Sequence, residues 1–408
     1  MTIFVPEFGF SAGSETVVLK VTSGWADDGH EVVVAAPRHR LRRYRQRGLD
    51  SRVRTVELGW KQSGWQRWVG ALTSRLPDGS RSRRLLINAA LRLQVRREKA
   101  TRVFVPWIVN QPVINFGLPT GVMVMDLAWR HYPKGWFGVS AQTLDLALER
   151  WLEGATVAFP VSESTAKEIE EAFPKVGAKL VTVPHGSEWR GAGKQVNGSP
   201  NLYFLTPAGM TPNKDHEGLL QSAVTLWRAG LNFKLVWTGA GTEMVVVEKK
   251  AETEGLQRLQ CLYQTHHELV AGRLECLGFV SDQALDALYA GACRVILPST
   301  YEGFGLPVLE AIERCARVIC TDIPAFVEQV GRYQINDRVV LVSKNDQVAL
   351  AAAMRSAIVD APAGASFTDE ADLRRRIEAW TWGDAAQRYL TVLDRCDAPP
   401  DRAAELPL

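Results

Sequence analysis

Short hydrophobic runs alternate with amphipathic stretches along this chain. Ile3–Val5 is a short apolar strand, and a turn-rich loop, Gly9–Gly13, follows it. Ser14–Asp28 places Val17, Val18, Val21 and Trp25 at helical spacing, and Gly29 stands in the helix C-cap position. The β-branched run Glu31–Ala36 predicts a buried parallel strand. Together these segments make one β-α-β unit, right-handed by the general rule for parallel crossovers. Val103–Pro106, Gly121–Met125, Val157–Val161 and Leu180–Val183 predict further strands, so residues 1–185 suit an open α/β domain.

Gly186–Pro200 is short of large aliphatic residues and rich in Gly, Ser, Lys and Asn, which marks 186–200 as a linker. The pattern then restarts. Strands are expected at Leu202–Leu205, Phe233–Thr238, Leu274–Leu277, 294–297 and 318–320. Helices are expected at Glu217–Ala229, around Thr242–Glu254, at 282–291 and at 307–315, with a last one near Trp382–Asp394. Such alternation predicts a second parallel sheet covered on both faces, over 201–380, with 381–408 as a terminal helical segment. Parallel sheets of this type bind ligands beyond the carboxyl ends of their strands, so the cleft between the two domains is the expected site. No internal repeat is visible.

Composition narrows the class. Of 408 residues, 46% are apolar and 23% charged, which excludes wholesale disorder, collagen and a coiled-coil rod. No run approaches the ~18 apolar residues of a spanning helix. The opening Met1-Thr2-Ile3-Phe4-Val5 lacks the basic region of a secretory signal. The cysteines at 261, 276, 293, 315, 320 and 396 form no C-x-x-C pair, so neither a disulfide framework nor a zinc site is expected. These features point to a reduced, cytoplasmic protein. The net charge of +3 hides an asymmetry: residues 38–102 hold 19 basic residues against 4 acidic ones. The N-terminal half therefore carries a local positive field.

The sharpest chemistry lies in Pro298–Glu310. A strand runs into a glycine-bearing loop, and Pro307 sits where a first helical turn tolerates it. Backbone N–H groups around Gly305 would then point out of the helix start and form an anion site suited to a diphosphate. Glu302 and Glu310 bracket that site, and carboxylates repel phosphate, so they suit neutral hydroxyls. The alternative is a plain loop with a capping glutamate and a core-packed helix face.

The run from Glu302 to Glu310 resembles the signature of the family 4 retaining glycosyltransferases of GT-B fold. Thr206–His216 with Leu219 and Leu220 is similar to a segment of its bacterial mannosyltransferase-like members. Leu277–Val280, Asp126–Pro133, Val161–Ser164, Pro184–Gly186 and Trp382–Ala386 resemble further family segments, so the likeness spans nearly the whole chain and is weakest across 38–102. The resemblance implies two Rossmann-like parallel-sheet domains facing across a cleft, the C-terminal helix returning to the N-terminal domain. It implies transfer of a sugar from a nucleotide diphosphate sugar, GDP-mannose favoured over UDP- or dTDP-sugars, to a hydroxyl of a glycan, lipid-linked or small-molecule acceptor. The nucleotide sugar would be a co-substrate, with no metal or other cofactor. Lys214 would stabilise the departing diphosphate, and Glu302 would hold the transferred sugar with the backbone N–H groups of Gly303, Phe304 and Gly305 assisting and Leu306 beside them in the nucleotide-sugar site. Glu310 would hold the ribose. Gly13, Thr238, Gly239 and Val280 would line the donor, while Asp126 and His131 would lie on the acceptor side.

Several positions depart from the family pattern. Ala12 and Met125 stand where the family usually has glycine and histidine, and Met125 offers no hydrogen-bond donor. Ala316 and Arg317 alter a turn after Glu310, and 206–213 contains no arginine. Two other readings stay open: a nucleotide-sugar epimerase on the same fold, and a non-catalytic paralogue that binds a partner, which Met125 and the altered 315–318 turn motivate. The arginines at 38, 40, 42, 43, 45 and 47 with Trp60, Trp65 and Trp68 suit either a solvated basic face or contact with a membrane's inner surface or an anionic acceptor. No nucleic-acid motif accompanies them, and oligomeric state is unreadable from the sequence.

Overall fold

The computed structural model describes residues 1–7, 12–58, 81–109, 114–132, 139–192, 202–247, 251, 253–359 and 370–396. The chain forms two compact units: Met1–Gly186 with the segment from Thr381, and Ser187–Trp380.

The first unit is built on six parallel strands: β1 (Thr2–Pro6), β2 (Glu31–Ala36), β3 (Arg54–Glu57), β4 (Arg102–Val105), β5 (Thr120–Val124) and β6 (Val157–Pro160). Their order is β3-β2-β1-β4-β5-β6, the doubly wound arrangement whose order reverses between β1 and β4. All but the edge strand β3 are largely buried on both faces and mostly apolar, with Phe4, Val33, Val103 and Val122 in the core. Gly29 ends the first helix, Ala12–Asp27, at φ 78°. Leu180–Val183 is not a full strand: it makes one bridge and two backbone hydrogen bonds to β6.

The helix Trp382–Asp394 belongs to this first unit. A capping box between Thr381 and Asp384 starts it, satisfying two helix-end N–H groups reciprocally. Trp25 donates its indole N–H to the Ala386 carbonyl at 2.7 Å, and the Tyr389 ring packs 4.9 Å from both Phe104 and Phe159.

The second unit repeats the plan with β7 (Tyr203–Pro207), β8 (Lys234–Thr238), β9 (Leu274–Cys276), β10 (Arg294–Leu297), β11 (Val318–Thr321) and β12 (Val339–Val342). All pairs are parallel and the order is β12-β11-β10-β7-β8-β9, so the order reverses between β7 and β10. Arg294 pairs with Phe204 and Val295 with Leu205 across that reversal. The helix expected around 242–254 is a correction: Thr242–Val245 forms a short 3-10 turn, and the α-helix runs over Glu254–Thr265. Gly241 enters the turn left-handed, the β-branched valines after it disfavour helix, and Thr253 provides the true N-cap.

Residues 187–192 of the expected linker pack on the second unit. Glu188 donates its backbone N–H to the Glu313 carboxylate at 2.7 Å, and Arg190 and Gly191 donate to the Glu313 carbonyl. Residues 193–201 lie outside the described residues, as do Trp60, Trp65 and Trp68.

Candidate functional site in the second unit

The candidate residues lie at or just past the carboxyl ends of four strands of the second sheet, of which β7 and β10 flank the switch point. Lys214 follows β7, Thr238 ends β8 and Gly239 follows it, Val280 follows β9, and Glu302–Gly305 follow β10. β7 is over by Pro207, and Pro212–Lys214 forms one 3-10 turn, preset by its proline. Asp215 then adopts φ 41° and caps the helix His216–Arg228, accepting from the Gly218 N–H at 3.0 Å. Asn213 clips this turn to the glycine loop. Its amide donates to the Tyr301 carbonyl at 3.0 Å, and its carbonyl accepts from the Thr300 N–H at 2.8 Å.

That clip brings Lys214 and Glu302 together across 88 residues of sequence. The Lys214 Nζ lies 2.5 Å from Glu302 Oε1, with the two side chains 16% and 12% exposed. Ser299 donates its hydroxyl to the same Glu302 oxygen at 2.7 Å. Half-buried, the pair is shielded from solvent screening more than a surface pair. Asn213 and Ser299 were not singled out from the sequence. Their signal is a short polar residue beside each charged one, and its meaning appears only when the loops meet.

Gly305 caps the helix Leu306–Glu313 at φ 92°, with Pro307 in the first turn. A Cβ on Gly305 would lie 2.7 Å from the Phe326 ring, so both the backbone angle and the space require glycine. Pro307 has no N–H and the Val308 N–H donates to the Gly305 carbonyl at 3.0 Å, which leaves the Leu306 N–H and the positive end of the helix dipole at this helix start. Glu310 lies half-buried one turn in, and Arg314 donates to its carbonyl at 2.8 Å. The Arg314 guanidinium also pairs with Asp286 at 2.7 Å and lies over the Tyr289 ring. One turn beyond Glu310, burial pushes the Glu313 carboxyl up to about 8, with Glu310 adding repulsion and the Glu188 N–H opposing it.

Thr238 is used structurally: its hydroxyl donates to the Gly278 carbonyl at 2.8 Å, and the Gly239 N–H does the same. Gly239, at φ 132°, passes so close to Ala208 and Gly209 that a Cβ would lie 2.7 Å from their backbone. Val280 is half-buried beside the exposed Phe279. His216 is buried under the site, its ring 4.8 Å from Trp237. Burial, with the Lys214 ammonium, holds its imidazole down at about 3, so it stays neutral.

The remaining expected residues lie in the first unit. Gly13 is half-buried in the first turn of its helix, while residues 8–11 are outside the described residues. Asp126 follows β5 and accepts from the Ala128 N–H at 3.0 Å, starting the short helix Ala128–His131. His131 pairs with Glu168 at 2.7 Å. Met125 lines an apolar pocket with Trp107, Ile108 and Trp129. The basic stretch is partly neutralised: Arg43 and Arg47 both pair with the buried Glu15, at 2.6 and 2.7 Å. Arg38 and Arg42 are exposed and have no partner among the described residues.

Comparison with known proteins agrees with this architecture. Residues 192–374 match the glycosyl transferases group 1 family. The O-antigen chain mannosyltransferase B of Escherichia coli is 27% identical over 298 residues, covering 68% of this chain and 72% of that one. The sucrose-phosphate synthase of Thermosynechococcus elongatus superposes with TM-score 0.69 at 16% identity, over 97% of this chain and 98% of that one. HepE of Anabaena, in complex with UDP and glucose, gives 0.64 at 15% identity, over 97% and 99%. The chain thus has the two-sheet GT-B fold of these structures, and its segment 192–374, inside Ser187–Trp380, matches the glycosyl transferases group 1 family.

Proposed function

We propose that this protein transfers mannose from GDP-mannose to a hydroxyl of a glycan or lipid-linked acceptor, with retention at the anomeric carbon. The observation that carries the reading is Lys214 against Glu302 beside the helix start at Gly305, all at the switch point of one sheet. The mannosyl preference rests on the similarity to an O-antigen mannosyltransferase. Lys214 and the helix N-terminus hold the donor diphosphate and stabilise its charge as it leaves. Glu302 accepts hydrogen bonds from hydroxyls of the sugar, and Glu310 from those of the ribose. The acceptor oxygen attacks C1 from the face the diphosphate leaves. The C1–O bond to phosphate breaks, the new C1–O bond forms, and the acceptor proton passes to the leaving phosphate oxygen. Because the positive charge comes from the protein, activity is expected to persist in EDTA. The exposed Arg38 and Arg42 support an anionic acceptor or membrane surface on the first unit.

The test is thermal shift with GDP-, UDP-, dTDP- and ADP-sugars in EDTA. A ligand at 100 times its Kd stabilises by about 2.7 kcal/mol, a rise of roughly 5–10 °C for a domain of this size. We expect GDP-mannose to give that rise and Glu310→Ala to abolish it. No rise with any nucleotide sugar, or a rise that survives Glu310→Ala, would overturn the reading.

A further inference from the structure

We propose that Ser299 is a positioning residue: it occupies one oxygen of Glu302 and thereby commits the other to the transferred sugar. The proposal rests on the role given to Glu302 above. Ser299 is 2% exposed and sits just past β10. Its carbonyl accepts from the Thr321 hydroxyl at the end of β11, so the residue is held from the neighbouring strand. From that fixed place its hydroxyl reaches Glu302 Oε1 at 2.7 Å, the oxygen that Lys214 also contacts at 2.5 Å. Among the described residues, no donor reaches Oε2.

A free glutamate side chain loses rotamer freedom when it is ordered. Two donors from different segments order this one before any sugar arrives, so the sugar meets a carboxylate already aimed. The two holders differ once a donor binds. The Lys214 ammonium has three N–H groups and is drawn towards the diphosphate, whereas the Ser299 hydroxyl has one O–H and, among the described residues, no other acceptor in reach. Ser299 therefore keeps Glu302 in place while Lys214 is shared with phosphate. It touches neither sugar nor nucleotide and acts only through Glu302.

Isothermal titration of Ser299→Ala with GDP and with GDP-mannose, in EDTA, tests this; if the panel above selects another nucleotide, that pair replaces them. We expect GDP affinity within twofold of wild type and GDP-mannose affinity weakened about fivefold to tenfold. In the Glu302→Ala background, removing the Ser299 hydroxyl is expected to change GDP-mannose affinity less than twofold. Equal loss for GDP and GDP-mannose, no loss for either, or additive losses in the two backgrounds would each overturn the proposal. A wild-type protein that binds no nucleotide sugar would instead sink the functional reading on which it stands.

Discussion

Replacing Glu313 with glutamine isolates one buried proton. The side chain is 6% exposed, and burial pushes its carboxyl from 4.5 up to about 8. Because the folded value is raised, the folded state holds a proton that the unfolded chain has already lost between those two pH values. Stability is therefore complete below pH 4.5 and falls as pH rises through the interval, levelling off above about 8. Each pH unit costs about 1.4 kcal/mol, so the loss over the interval is roughly 4–5 kcal/mol. Glutamine keeps an oxygen for the Glu188 N–H at 2.7 Å and removes the ionisation. Urea unfolding of both proteins at pH 5, 6, 7, 8 and 9 reads the effect. Other titrating groups, including the buried His185 and His216, cancel in the difference between the two proteins. The variant is expected to match wild type near pH 5 and to exceed it by several kcal/mol at pH 9. A difference that does not vary with pH, or that shrinks as pH rises, would refute the reasoning.

Two further substitutions probe the site. Lys214→Ala is expected to lower kcat/KM for the sugar donor at least tenfold, about 1.4 kcal/mol of transition-state stabilisation, measured by release of nucleoside diphosphate; a smaller loss counts against its role. Gly305→Ala forces a side chain into φ 92° and towards the Phe326 ring. Strain of about 1–2 kcal/mol and overpacking of about 1–3 kcal/mol lower the melting temperature of the second unit by roughly 5–15 °C. Calorimetry checks this, and an unchanged transition would show that the loop relaxes freely.

Much of this was legible because the signals are local. The path from β10 through a glycine to Pro307 is written in consecutive residues, and Asp282–Gly291 and Trp382–Asp394 were read at their observed bounds. The edge strand β3 was not read, because Arg54–Glu57 lacks an apolar run and is half-exposed. The strand β12 was also missed although Val339–Val342 is an unbroken apolar run; it is a short edge strand whose middle residues Val340 and Leu341 are exposed. The shared sheet order of the two units leaves no sequence repeat, since topology constrains burial and not particular residues. At the site, the charged residues were recognisable but not their pairing across 88 positions. The same holds for the arginines, of which Arg43 and Arg47 answer a buried carboxylate on another helix.

The helix Trp382–Asp394 imposes an order of events on synthesis. Domains generally begin to fold as they emerge from the ribosome. Here the first unit emerges first yet lacks a wall, because the surface around Trp25, Phe104 and Phe159 is covered by Tyr389 and its neighbours. Those residues follow only after all of Ser187–Trp380 has been made. The inserted unit, whose chain is continuous, can finish folding earlier than the unit that encloses it in sequence. A nascent chain halted before Thr381 thus carries a closed second unit and an unclosed first one with an apolar seam, the species most in need of a chaperone.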